Sequence, residues 1–153
     1  GATKGMPKAE FIKADMMAER VKRDSLMMKY LAGDHQTIMT GTIFGLDFKI
    51  KMDSYLPNKA IVDLKTVESL SKTYYHPDKG RCTFVDYFDY VLQGAIYQEI
   101  VFQNTGKRLP FLLACVSKEP IPDIDLLWID NETLHERLYG NERHTLSSLK
   151  GIL

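Results

Sequence analysis

The run GLDFKIKMDSYLPNKAIVDLKT, from Gly45 to Thr66, limits the fold more than any other stretch. Its first half, roughly Asp47 to Tyr55, alternates. Phe48, Ile50 and Met52 fall on one face and Lys49, Lys51 and Asp53 on the other, because strand side chains repeat with period two. Leu56-Pro57-Asn58 supplies turn chemistry. A second strand, about Lys59 to Thr66, carries Asp63 inside the apolar run Ala60-Ile61-Val62 and Leu64. A carboxylate there must be paired, bound to a metal or set at the strand's open end, since an isolated buried charge is too costly. Lys65 stands two residues on and projects from the same face. If the two strands pair as a hairpin, Asp53 meets them across the ladder. Two carboxylates and one ammonium on one surface suit the holding of a divalent metal and the activation of a water.

The whole chain, 153 residues with 44% hydrophobic, has enough apolar material for one domain with its own core. Twenty basic and twenty acidic side chains cancel, so attraction to nucleic acid has to come from a local patch. Cys82 and Cys115 are the two cysteines, without ligand spacing, which argues against a disulfide framework, a structural zinc or a four-cysteine cluster. No run approaches the ~20 apolar residues of a membrane span, and no charged-then-apolar leader is seen. A cytoplasmic protein with no membrane partner is expected.

Gly1 to Lys4 and the two residues after them read as a tail or linker over 1–6, and 7–153 as a single domain. Apolar residues at three- and four-residue steps predict helix from Pro7 to Leu31, with Asp15 capping one segment and Asp24-Ser25 starting a second. His35 to Phe44 reads as a first strand, and His35 as a solvated loop histidine. Val67 to Leu70 reads as a helical turn, and Ser71 to Cys82 as a loop long enough to be functional. Phe84 to Thr105 carries a broad apolar stripe and reads as one long helix, on which Gln93 and Tyr97 share a face with Asp86 and Tyr90. Pro110 to Ser117 and Asp125 to Ile129 are two more strands, and Glu132 to Leu149 a polar helix. The order predicts an α/β sandwich with a mixed central β-sheet flanked by helices.

Asp53, then nine residues, then Asp63-Leu64-Lys65 resembles the PD-(D/E)xK nuclease core, whose restriction-endonuclease-like fold matches that architecture. Thr66 after Lys65, with Gln93-Gly94-Ala95-Ile96-Tyr97 downstream, resembles the RecB-type branch. The wording FKIKMD, IVDLKT and YVLQGAIYQEIV is most similar to RecE (exonuclease VIII) and phage-encoded exonucleases. The resemblance implies a Mg²⁺- or Mn²⁺-dependent exodeoxyribonuclease acting on ends of double-stranded DNA in phage-type recombination. An endonuclease of the same superfamily, or a catalytically weak DNA-binding or assembly module, stays open beside it. A bacterial host or phage origin, a single-strand annealing protein as partner, and a homo-oligomer follow from the same resemblance.

Residue by residue, the resemblance makes Asp53 and Asp63 metal ligands, with the backbone carbonyl of Leu64 as a third. Lys65 orients or deprotonates the attacking water and stabilises the pentavalent state, while Gln93 and Tyr97 steer the water or the DNA backbone. A fourth metal-site residue usually stands on a helix ahead of the sheet. Glu19 is the candidate, and a solvent-facing glutamate is an equal reading of it. The upstream histidine of RecB- and RecE-like proteins has no counterpart, His35 being too close to the strand. That suggests the nuclease core of a longer protein. Lys49, Lys51, Thr66, Lys72 and Arg81, with Lys79, are the expected DNA contacts. Tyr74 and Tyr75 either stack on an unpaired base or pack on the core.

Overall fold

Residues 7–152 are described by the computed structural model; the expected tail or linker over 1–6 lies outside them. The amphipathic N-terminal stretch forms α1 (Lys8–Lys22) and α2 (Ser25–Leu31). Asp24 caps α2 by accepting from the Met27 N–H at 2.9 Å. Asp15 lies within α1 and caps nothing. Strands β1 (Thr37–Ile43) and β2 (Leu46–Met52) make an antiparallel ribbon. They are followed by β3 (Ser54–Leu56), β4 (Ala60–Val67) and a small hairpin of β5 (Tyr74–His76) and β6 (Gly80–Cys82). Then come α3 (Phe84–Tyr87), α4 (Tyr90–Thr105), β7 (Phe111–Ser117), β8 (Ile124–Ile129), α5 (Asn131–Tyr139) and α6 (Glu142–Ile152).

The central sheet has the order β3-β4-β7-β8, with β4 and β7 parallel and the two outer pairings antiparallel. Ile61, Phe111, Leu113 and Cys115 face α4, whose Ala95, Ile96 and Ile100 join the same core. Ala60, Val62, Leu112 and Ala114 face the other way, toward Met27 of α2 and Val21 of α1. With both faces covered, every residue of β7 is buried, and its sequence FLLACVS shows no alternation for that reason. This is the α/β, restriction-endonuclease-like core with a mixed sheet that the sequence predicts.

Five element assignments differ from the sequence reading. The predicted strand from Asp47 to Tyr55 is two strands, broken at Asp53: β2 pairs with β1, and only β3 turns back onto β4. The predicted helix from Phe84 to Thr105 breaks at Asp89, which adopts a left-handed φ of 55° and caps α4 by accepting from the Leu92 N–H. Aspartate tolerates that conformation and its oxygen satisfies a free helix donor, so periodicity on both sides hides the break. The Ser71–Cys82 loop contains the β5–β6 hairpin, and Val67 ends β4 where a helical turn is expected. The polar C-terminal stretch is two helices, parted at Gly140-Asn141.

Candidate active site

Parallel register sets Asp63 beside Leu113 and Lys65 beside Cys115, so both project from the sheet face that α4 covers. Their neighbours Leu64 and Thr66 project from the opposite face, near Met17 and Val21 of α1. Lys65 Nζ lies 2.8 Å from Asp63 Oδ2. That buried oxygen nonetheless lacks a directed hydrogen bond, because the ammonium sits off the line one requires. Asp63 is only 5% exposed. Burial pushes its carboxyl up from 3.8 to about 6; Lys65 opposes the rise and the Asp53 carboxylate adds to it.

Asp53 reaches this pair from the strand break rather than from a ladder position. Its Oδ2 accepts the Leu64 N–H at 2.8 Å. In an extended strand the N–H and C=O of one residue face the same edge. The Leu64 carbonyl therefore also points toward the side that Asp53 occupies. His35, read as a solvated histidine, is exposed but holds the break from behind, with Nδ1 3.1 Å from the Asp53 carbonyl oxygen.

From the other side, α4 presents Tyr90, Gln93 and Tyr97, which share a face at three- and four-residue spacing. The Tyr97 hydroxyl donates to the Lys51 carbonyl at 3.2 Å, tying α4 to the last turn of chain before Asp53. Burial raises the Tyr97 phenol; Gln93 pulls it down, and the charges of Asp63, Lys65 and Asp53 all reach it. Tyr90 lays its ring 4.3 Å from Lys65 Nζ. Sequence reasoning placed Tyr90 on this face without giving it a role; its position seven residues before Tyr97 was the available signal. Such a cation–π contact contributes roughly 0.5–2 kcal/mol.

Several expected site residues stand elsewhere. Glu19 is exposed on α1, 3.6 Å from Lys22, and α1 packs on the sheet face away from Asp63, so it does not join Asp53 and Asp63. Among the described residues no group of three His, Cys, Asp or Glu side chains is placed to hold a metal. Thr66 projects from the same far face, by the alternation that puts Lys65 on the near one. Lys49 and Lys51 stand on the outer face of the β1–β2 ribbon, opposite Thr40 and Ile38, because Ile50 and Met52 turn inward. Lys49 still borders a cleft of about 420 Å³ shared with Phe88, Tyr90, Gln93 and Tyr97. Lys72 is engaged by Glu68 and lies over the Tyr74 ring. Arg81 donates to the Thr73 hydroxyl at 3.1 Å on the β5–β6 hairpin.

The donor set fits a hard divalent cation in one respect. The Asp53 and Asp63 carboxylates stand close enough to act on each other, the Leu64 carbonyl lies on the edge that Asp53 occupies, and one buried carboxylate oxygen has no directed donor. A larger cavity of about 770 Å³ opens at the N-terminal start of α4, between α3 and α5. Its five carboxylates, Asp86, Asp89, Asp130, Glu132 and Glu136, outnumber Lys79 and Arg137 in the lining, and a net-negative wall repels a polyanion.

A mixed sheet that offers one aspartate from a strand break and an Asp-x-Lys pair from the next strand, under a Gln/Tyr-bearing helix, has the arrangement of the PD-(D/E)xK class of domains. The chain belongs to the family described as PDDEXK-like domain of unknown function (DUF3799), which matches residues 1–150. Its fold is similar to a crystal structure from Eubacterium rectale described as "Putative exonuclease", with TM-score 0.84 and 43% identity. That likeness covers 98% of this chain and 57% of the other, so this chain spans little more than half of its structural relative. Comparison with curated proteins gives no match. Among the described residues no helix is long and apolar enough to cross a membrane.

Proposed function

We propose that this chain is a Mg²⁺-dependent exodeoxyribonuclease that hydrolyses phosphodiester bonds of double-stranded DNA from its ends. The observation that supports it most is the buried Asp63–Lys65 pair, with Asp53 anchored on the backbone N–H between them. Asp53, Asp63 and the Leu64 carbonyl would hold the cation, and oxygen donors of this kind suit Mg²⁺ or Mn²⁺. Bound there, the cation supplies Lewis-acid stabilisation of the charge that builds on the phosphate.

The side chains then have distinct tasks. Lys65 is confined between Asp63 and the Tyr90 ring, which fixes its ammonium in place before substrate arrives. From there it donates to the attacked phosphate oxygen and orients the incoming water. Tyr97 is held by the Lys51 carbonyl, and Gln93 beside it supplies an amide that positions the backbone of the cleaved strand. The relative described as an exonuclease favours attack from ends over internal cleavage.

End-labelled linear DNA and closed circular DNA, incubated with Mg²⁺ with and without EDTA, test this reading. Loss of linear DNA alone, abolished by EDTA and by Asp63→Asn, is the expected result. Cleavage of the circle replaces it with an endonuclease. Undiminished cleavage by a folded Asp63→Asn protein removes the assigned site.

A further inference from the structure

The aromatic side chains around the start of α4 are arranged as a path leading away from Lys65. The Lys65 ammonium lies over Tyr90, and the Phe88 ring stacks on Tyr90 at 5.6 Å and 22°. Phe88 meets Tyr74 edge-on at 5.5 Å, and Tyr74 stacks on Tyr87 at 4.7 Å. Apolar rings in such a cluster normally bury themselves, yet Phe88 is 49% exposed. Its exposed part looks into the cleft of about 420 Å³ that Tyr90, Gln93 and Tyr97 also line.

Facing these rings the cleft is bounded by β2, with Phe48 and Lys49, and by Ser148 and Ile152 of α6. Lys49 pairs with no carboxylate among the described residues, so its charge is free for an anion. The cleft is therefore aromatic along the start of α4, where its one carboxylate, Asp89, is neutralised by Arg137; it has Lys49 at its rim and opens beside the ammonium assigned to the scissile phosphate. Its volume falls within the range of small-molecule sites, about 300–1,000 Å³, which accommodates one nucleotide and excludes a duplex. A flat aromatic surface with a nearby cation is the chemistry that binds unstacked bases without reading their sequence.

We propose that the cleft between β2 and the first turns of α4 is a subsite for one unpaired nucleotide of the DNA end, with Phe88 as the surface on which its base stacks. Lys49, at the rim of the cleft on the outer face of β2, contacts the phosphate on the solvent side of that nucleotide. The subsite rests on the nuclease reading above and adds to it a substrate preference: an end whose terminal base is already unpaired. Opening the last pair of a duplex costs a few kcal/mol, least where the pair is mismatched.

The test is binding in Ca²⁺ without turnover, measured with short duplexes that end in a matched pair, a mismatched pair or an abasic residue. Wild type is expected to hold the mismatched end more tightly than the abasic one. Phe88→Leu is expected to lower affinity for the mismatched end roughly tenfold or more, as loss of one base-stacking ring does. It should leave the abasic end unchanged, and Phe88→Tyr should restore the mismatched end. A purely structural role for Phe88 predicts equal losses on all three ends and overturns the subsite. Equal wild-type affinity for mismatched and abasic ends overturns it too. Binding in Ca²⁺ is independent of cleavage, so a protein that fails to hydrolyse DNA removes the nuclease reading while the stacking comparison is still read.

Discussion

Asp63 faces opposite demands with and without a cation. Burial lifts its carboxyl to about 6, so the folded chain takes up a proton that the unfolded chain releases near 3.8. A carboxyl raised in this way makes stability fall as pH rises from about 4 through 6, and the full cost remains above that. The displacement corresponds to roughly 3 kcal/mol. Asp63→Asn is expected to remove hydrolysis and also this slope. Melting curves between pH 4.5 and 8, without divalent cation, should show wild type losing stability relative to the variant as pH rises. Parallel curves would mean that Lys65 fully compensates the buried charge. Tyr90 gives a second residue-scale prediction, since it is the ring and not the hydroxyl that meets Lys65. Tyr90→Phe should keep cleavage near wild type, while Tyr90→Leu should lower kcat by several-fold, in line with the ~0.5–2 kcal/mol of such a contact. Equal losses in both variants would assign the effect to the hydroxyl instead.

Among the elements, α4 decides whether the site exists, because it brings Tyr90, Gln93 and Tyr97 onto the sheet. Gly94 sets its approach: a Cβ there would meet Phe111 Cδ2 at 2.5 Å and Leu134 Cδ2 at 3.0 Å, and the buried Phe111 ring has nowhere to retreat. Gly94→Ala is expected to cost roughly 1–3 kcal/mol in denaturant unfolding through overpacking. The N-terminus of α4 is fixed by Asp89, whose Oδ2 accepts from Arg137 Nη2 of α5 at 2.8 Å, with Nε donating alongside. Burial alone would raise the Asp89 carboxyl, but Arg137, helped by Lys79 and the Leu92 N–H, holds it below the usual range. A lowered carboxyl contributes stability above the unfolded pKa and loses it as pH falls through the folded one. Arg137→Ala should therefore destabilise at pH 7 by roughly 1–3 kcal/mol, and by progressively less below pH 4. None of this was legible beforehand. Apolar periodicity reveals α4 and the sheet strands, and the Asp53 and Asp63-x-Lys65 spacing marks the centre of the proposed site. Periodicity says nothing of a break that a left-handed aspartate permits, so α3 and α4 read as one helix. Alternation likewise runs through Asp53, although the chain there changes partners from β1 to β4. Which side of the sheet Glu19 faces depends on how α1 packs, which no local pattern encodes; Thr66, by contrast, is put on the far face by the same alternation that puts Lys65 on the near one.

Over the whole molecule the charges cancel, twenty against twenty, so DNA affinity has to depend on which cations are left free. Sequence alone ranks Lys49, Lys72 and Arg81 alike. The structure separates them. Lys72 is neutralised by Glu68, which also lies near enough to raise the lysine's own pKa through that contact. Lys49 and Arg81 have no carboxylate partner among the described residues, and Arg81 stands on the outer side of the β5–β6 hairpin opposite the highly exposed Tyr75. Each phosphate neutralised by a free cation releases condensed counterions, so log affinity falls with log salt by about 0.9 per contact on duplex DNA. Removing a cation that touches phosphate reduces that slope by about one, whereas removing one already paired within the protein changes it little. Binding of a duplex end in Ca²⁺ should therefore show a shallower salt dependence for Lys49→Ala and for Arg81→Ala. Lys72→Ala should keep the wild-type slope. A Lys72→Ala slope reduced as much as the others would show that DNA displaces Glu68 and recruits the lysine, and the basic patch would then extend from β4 across the hairpin.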